Sequence, residues 1–235
     1  PVLHFVEWET LPYDAFSPHQ DIVSQRLTVL ATLPALRNGI VVVSAPSLLQ
    51  RLPPRSYVSS RSLQLKSGQR LDRDGLVKAL TTSGYARVSQ VREHGEFAVR
   101  GALFDVFPMG SEAPVRIDLF DDDIDSLRHF DPQTQISDDK VDEISVLPAS
   151  EIPLDDDSIR AFRERYRERF EGQPSRSRVY SDISNGIAHG GIEYYLPMFF
   201  EETAGFFDHC PGDTLFLVPP ELDALLDTAW SEIEE

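Results

Sequence analysis

The sequence predicts an α/β plus α+β architecture, and three observations carry that prediction. Gly39-Ile-Val-Val-Val-Ser-Ala is a continuous β-branched run that feeds a short helix from Pro46 to Gln50, the pattern of a strand buried on both faces of a parallel α/β sheet. Between Leu63 and Leu147 one helical pattern stands beside about five strand patterns, which predicts a compact, mainly antiparallel α+β domain. After Leu147 helical patterns return, set among aromatic residues and glycine turns. The expected divisions are 1–61, 62–148 and 149–235.

Taken in order, Trp8 to Asp21 is dense in aromatics and turn-formers, and Pro12 and Pro18 break any long helix there. A helix follows from Ile22 to Leu33, with Ile22, Arg26, Val29, Leu30 and Leu33 near one stripe and Pro34 at its end. Asn38-Gly39 turns the chain into the β-branched strand. Pro53-Pro54 and the serines after it read as a linker. Leu63 to Lys66 is a short strand, Ser67-Gly68 a turn, and Asp72 to Ser83 a helix capped by Asp72 and closed by Gly84. Strands are then expected at Tyr85 to Val91, through His94 to Phe120, at Ile124 to Phe130 and at Ile144 to Leu147. Asp155-Asp-Asp suits the start of a helix from Ser158 to Glu171, which buries Ile159, Phe162, Tyr166 and Phe170. Its five arginines alternate with Glu164, Glu168 and Glu171, the pattern of a solvated, ion-paired face rather than of a nucleic-acid surface. Thr214 to Val218 reads as a second buried strand and Glu221 to Glu234 as a terminal helix.

The net charge of −17 is unevenly placed. Residues 1–120 carry 13 basic and 11 acidic side chains, 121–157 carry 2 and 13, and 158–235 carry 7 and 15. Such a surface repels phosphate backbones and favours a protein partner with a basic patch over general nucleic-acid binding. A single cysteine, Cys210, excludes an internal disulfide framework, and no apolar run approaches the length of a membrane span, so a cytoplasmic protein with no membrane partner is expected. The chain opens at Pro1 without a methionine, and a fragment of a longer protein is expected.

Catalytic apparatus is missing from the pattern. No G-x-x-x-x-G-K-[ST] loop and no G-x-G-x-x-G after a strand is present, so no nucleotide cofactor is expected. Asp121, Asp123 and Asp125 imitate the start of a calcium loop, but Ser126 and Pro132 stand where glycine and glutamate are needed, and a hairpin turn fits better. The six histidines are scattered, His209-Cys210 has no partner at zinc-ligand spacing, and Cys210 has no visible base.

What remains distinctive is His94 to Phe120. Strand alternation sends Phe97 and Val99 to one face and Glu96, Ala98 and Arg100 to the other. In the later strand Val115, Ile117 and Leu119 form the apolar set, opposite Arg116, Asp118 and Phe120. Phe120 then has two readings. A second layer covers it and it is ordinary core, or it is an exposed aromatic flanked by arginines, the composition of a protein-binding hot spot.

WETLPYDAFSPHQD and EHGEFAVRGALFDVFPMGSEAPVRIDLFDDDIDSLRHFD closely resemble the N-terminal region of the bacterial transcription-repair coupling factor (Mfd) family, itself similar to the excision-repair helicase UvrB. The likeness runs along nearly the whole chain, is strongest over 8–21 and 68–148, and weakens after Glu171. The pattern G-x-F-x-V-R-G-x-x-x-x-(I/V)-F-P, here Gly95 to Pro108, is long enough to be specific, and Ala102, where UvrB is typically acidic, favours the coupling factors. The resemblance implies a UvrB-like module: a degenerate helicase-type parallel α/β domain, an inserted α+β domain, and a third domain packed on the first.

It also implies a non-catalytic chain that recruits the damage-recognition protein UvrA through Arg100, Arg116 and Phe120, which favours the exposed reading of Phe120. Truncating either arginine should weaken that binding and change fold stability little. The intact protein would be an ATP-dependent DNA translocase that meets RNA polymerase and DNA through other domains, and one of those domains would mask the UvrA surface. Two alternatives stay open: a fragment of an ATP-dependent UvrB-type helicase whose nucleotide loop lies upstream of Pro1, and an autoinhibitory domain acting only on its own motor.

Overall fold

The computed structural model describes residues 1–11 and 14–234, so the helix-breaking role expected of Pro12 lies outside the described residues. In chain order the elements are β1 (Val2–Phe5), α1 (Gln20–Thr32), β2 (Ile40–Val43), α2 (Ala45–Leu49), α3 (Arg55–Arg61), β3 (Leu63–Lys66), α4 (Arg73–Thr82), β4 (Ala86–Arg87), β5 (Glu96–Arg100), β6 (Leu103–Val106), β7 (Val115–Phe120), β8 (Asp123–Phe130), β9 (Ser137–Val141), β10 (Glu143–Val146), α5 (Asp156–Arg169), α6 (Arg178–Ser184) and α7 (Leu222–Glu234). They form two compact units, 1–57 with 151–235, and 58–150. The architecture is mixed α/β with both parallel and antiparallel sheets. Among the described residues no helix is long and apolar enough to cross a membrane.

In the first unit β1 and β2 pair in parallel, from Val2 opposite Ile40 to Phe5 opposite Val43. The expectation that β2 is buried on both faces is corrected: Ile40 and Val42 are exposed, because β1 is its one strand neighbour among the described residues. Thr214 to Val218 forms no strand, and Leu215 and Leu217 are 83% and 89% exposed. Strand composition did not suffice there without a partner strand. Pro53-Pro54 does not open a linker. Leu52 exchanges backbone hydrogen bonds with Ala204 at 2.8 and 2.9 Å, and the helix α3 follows.

An unforeseen element of this unit is its buried cation. Arg26 of α1 is fully buried, and its guanidinium lies 4.3 Å from the ring centre of Phe5 and 4.9 Å from that of Trp8. Its Nε donates to Glu151 Oε1 at 2.5 Å, Nη2 to Oε2 at 3.3 Å, and Nη1 to the Val6 carbonyl at 2.8 Å. The chain's first segment, α1 and residue 151 are thereby tied together by one paired charge, the condition under which a buried ion is tolerable. Further on, Asp155 caps α5 by accepting from the Ser158 N–H at 2.9 Å, Asp156 and Asp157 sit in the first turn, and Arg167 and Arg169 in the last. Phe162 and Tyr166 of α5 enter a core with Ile152, Ile183, Ile192, Leu196 and Phe199, whereas Phe170, expected inside, is exposed. The ion-paired face expected on α5 is sparse. Arg160 meets Asp157, but Arg163 and Arg167 turn to the Tyr180 hydroxyl.

The second unit contains a six-stranded sheet ordered β4-β5-β6-β7-β8-β9, a β3–β10 antiparallel pair, and α4. Asp72 caps α4 by accepting from the Gly75 N–H at 3.0 Å, and Gly84, at φ +90°, ends it. The strand expected at Tyr85 to Val91 shrinks to the two residues of β4, which run parallel to β5. β9 was not foreseen, since Ser-Asp-Asp-Lys-Val has little strand character; pairing with β8 creates it. Phe97, Phe104, Val106, Val115, Ile117 and Leu127 are buried, and register places them on one face.

Candidate functional site

The register of β5, β6 and β7 builds the site. Residues directly opposite in an antiparallel pair point to the same face. Ala98, Asp105, Arg116 and Arg128 therefore form one cross-strand row on the face opposite that apolar set, and Arg100, Leu103, Asp118 and Ser126 form the next. Gly101, at φ +59°, occupies the first central position of the two-residue β5–β6 turn, which a type II′ hairpin reserves for glycine. Asp121, at φ +54°, turns β7 into β8. β5 and β7 run in the same direction on either side of β6, so Arg100 and Phe120 arrive at the same end of the sheet.

The face is only partly wet. Ala98 shares the face of Arg100, as alternation predicts, but is buried in a small cluster with Val91, Phe107 and Phe130. That cluster covers the row containing Arg116, and Phe120, two residues beyond Asp118, is 74% exposed.

The two arginines have different surroundings. Arg116 donates through Nε to Asp105 Oδ1 at 2.8 Å and through Nη2 to Oδ2 at 3.0 Å. Its Nη1 donates to the Gln135 carbonyl at 3.2 Å and to Ser137 Oγ at 3.1 Å, and its guanidinium lies 4.7 Å from the Phe130 ring centre. Four of its five N–H groups are thus satisfied internally, and its side chain is 14% exposed. The Asp105 hydrogen bond raises its pKa above the ordinary arginine value, against a smaller opposing effect of burial. Arg100 is 44% exposed, and among the described residues its one hydrogen bond runs from Nη2 to Asp105 Oδ2. Asp105 itself has no exposed side-chain surface. The Asp118 carboxylate stands on the same face and accepts from Ser126 Oγ at 3.3 Å.

The structure therefore brings Arg100 and Arg116 together through a residue that pattern reading passed over. The signal that could have found Asp105 is its position between two arginines once the tight turn at Gly101-Ala102 fixes the hairpin register. Arg116 differs from expectation in one consequence: its truncation would leave a sealed carboxylate with the single Arg100 hydrogen bond, so a change without effect on stability is not what this geometry predicts.

Among the described residues no group of three His, Cys, Asp or Glu side chains is placed to hold a metal ion. The Asp121–Asp125 stretch is the β7–β8 hairpin turn and the start of β8. In the first unit, Glu193 accepts from Ser17 Oγ at 2.9 Å, and burial pushes its carboxyl up to about 7.

A sequence model of the family described as the UvrB interaction domain matches residues 63–152, the segment that holds all of β3 to β10. Three curated relatives are each a transcription-repair-coupling factor. That of Escherichia coli K12 is 46% identical over 94% of this chain, that of Haemophilus influenzae 49% over 91%, and that of Rickettsia bellii 32% over 88%. The chain spans about a fifth of the length of these relatives, since the matched part is 19% of each.

Proposed function

The chain belongs to the transcription-repair-coupling factor family as its UvrB-homology module, and from that membership we propose that it recruits UvrA to stalled transcription through the Arg100, Arg116 and Phe120 end of its six-stranded sheet. The observation that carries the proposal is Phe120, 74% exposed at the end of the sheet where Arg100 also stands. A large aromatic left in water at the same end of the sheet as an exposed guanidinium costs the free protein solvation and has no packing role to justify it. It is the composition of an interface hot spot. Phe120 would enter an apolar pocket of UvrA, and Arg100 would make charge-assisted hydrogen bonds to a carboxylate there. Arg116 supports the same surface from within.

Parallel pairing of β1 with β2, followed directly by α2, supports a degenerate helicase-type α/β domain over 1–61. Residues 62–148 then form the inserted UvrA-binding domain and 149–235 a third domain that packs on the first. This module works without catalysis and without a cofactor, in the cytoplasm. ATP-driven translocation and the contacts with RNA polymerase and DNA belong to other parts of the intact protein, one of which masks the UvrA surface until it is needed.

Calorimetric titration of UvrA with the full chain tests the proposal. Arg100→Ala should weaken binding by about 2 kcal/mol or more, because the partner carboxylate is left desolvated and unpaired, while thermal unfolding falls less than for Arg116→Ala, since Asp105 keeps both Arg116 hydrogen bonds. Parental affinity for Arg100→Ala would remove Arg100 from the interface.

A further inference from the structure

We infer that, of the two arginines paired with Asp105, Arg100 alone is free to meet a partner at this docking end, and that the buried carboxylate of Asp105 is the positioning residue that prepares it. The inference rests on the UvrA-binding reading and goes beyond it by fixing what chemistry the partner must present. Arg116 has little left to give: four N–H groups are bound within the fold, the ring of Phe130 packs against its guanidinium, and it is 14% exposed. Arg100 spends one N–H on Asp105 and keeps four, on a side chain that is 44% exposed.

Both guanidinium groups thus meet at one carboxylate with no exposed side-chain surface, and the three groups together carry a single net positive charge. A second carboxylate brought to this cluster would find no counter-charge within it and would stand next to Asp118 on the same face. The surface fits a partner that presents one carboxylate beside an apolar pocket. Phe120 lies two residues beyond the row of Arg100, a step of about 7 Å along β7, and two strands across from it, roughly another 10 Å, and the two offsets together set the spacing between acid and pocket.

Asp105 contributes by ordering. An arginine side chain loses rotamer freedom when fixed, and a guanidinium already held at one N–H has met part of that cost before the partner arrives. The hold needs the planar fork, since one group must serve Asp105 and the incoming carboxylate at once. A lysine ammonium is a point charge without that geometry.

The test uses UvrA and four variants of the full chain. Replacing the inner pair by apolar groups, Asp105→Leu with Arg116→Met, should leave the unfolding midpoint close to parental, weaken UvrA binding about tenfold, and free the rotation of the Arg100 Nη groups seen by NMR. Arg100→Lys, at a half-exposed position that does not threaten the fold, should also bind about tenfold more weakly. Arg100→Ala and Phe120→Ala report on the parent reading alone. If these two lose binding while the double variant folds and binds like the parent, or while Arg100→Lys does, Asp105 is not the positioning residue and the docking surface stands. If neither alanine variant loses binding, the docking surface itself is wrong.

Discussion

Glu151 and Asp105 are both sealed carboxylates paired with arginine, and the difference between their surroundings separates structure from recognition in this molecule. Glu151, 2% exposed, faces one fully buried guanidinium whose flat sides are covered by Phe5 and Trp8. Nothing in that arrangement reaches water, so its effect falls on the fold. Asp105 is as deeply buried, but of its two arginines only Arg116 is enclosed, and Arg100 carries the remaining positive charge outward. Charge closed on itself holds a core together. Charge closed on one side and open on the other is available to a partner.

The strongest test of the contrast is to break the closed cluster. Arg26→Ala should destabilise the first unit by about 3 to 5 kcal/mol in urea unfolding, because Glu151 is left as an uncompensated buried charge. Arg26→Met with Glu151→Leu should lose much less. Equal losses for the single and double changes would mean that the packing of the arginine stem, not the charge pairing, is what matters. The half-open cluster should respond less. Arg116→Ala is expected to cost about 2 to 3 kcal/mol of stability in the second unit, since Asp105 keeps the Arg100 hydrogen bond, and to weaken UvrA binding as well.

A third acid sharpens the contrast by lacking a guanidinium in hydrogen-bond contact. Glu193 has the Ser17 hydroxyl instead, and its folded carboxyl titrates at about 7 against an ordinary 4.5. Below pH 4.5 it is protonated whether the chain is folded or not and costs nothing. As pH rises to 7 the unfolded chain ionises first, so stability falls, and above 7 the penalty is complete at about 3 kcal/mol. Glu193→Gln should therefore raise the thermal midpoint at pH 8 and leave it unchanged at pH 4.

How much of this was legible in the sequence follows from how local each signal is. Alternation within β7 placed Arg116 and Phe120 on one face, since a single strand contains that information. The cap at Asp72 and the stop at Gly84 were equally local. Asp105 was not, because its meaning depends on which residues sit across two hairpins. β9 was invisible for the same reason, its Ser-Asp-Asp-Lys-Val becoming a strand only against β8. Thr214 to Val218 is the converse: the composition of a buried strand with no neighbour to pair with among the described residues. Arg26 stood within the apolar stripe read for α1, and a cation in such a stripe is the trace a buried ion pair leaves in one dimension.

The smallest expected effect on the fold comes with the most direct test of the account. Phe120→Ala removes a ring that touches mostly water, so its unfolding midpoint should match the parent within about 0.5 kcal/mol, while calorimetric titration with UvrA should show a loss of about 2 kcal/mol or more. Parental affinity for that variant, with the fold intact, would contradict the claim that the open end of the sheet exists to be bound.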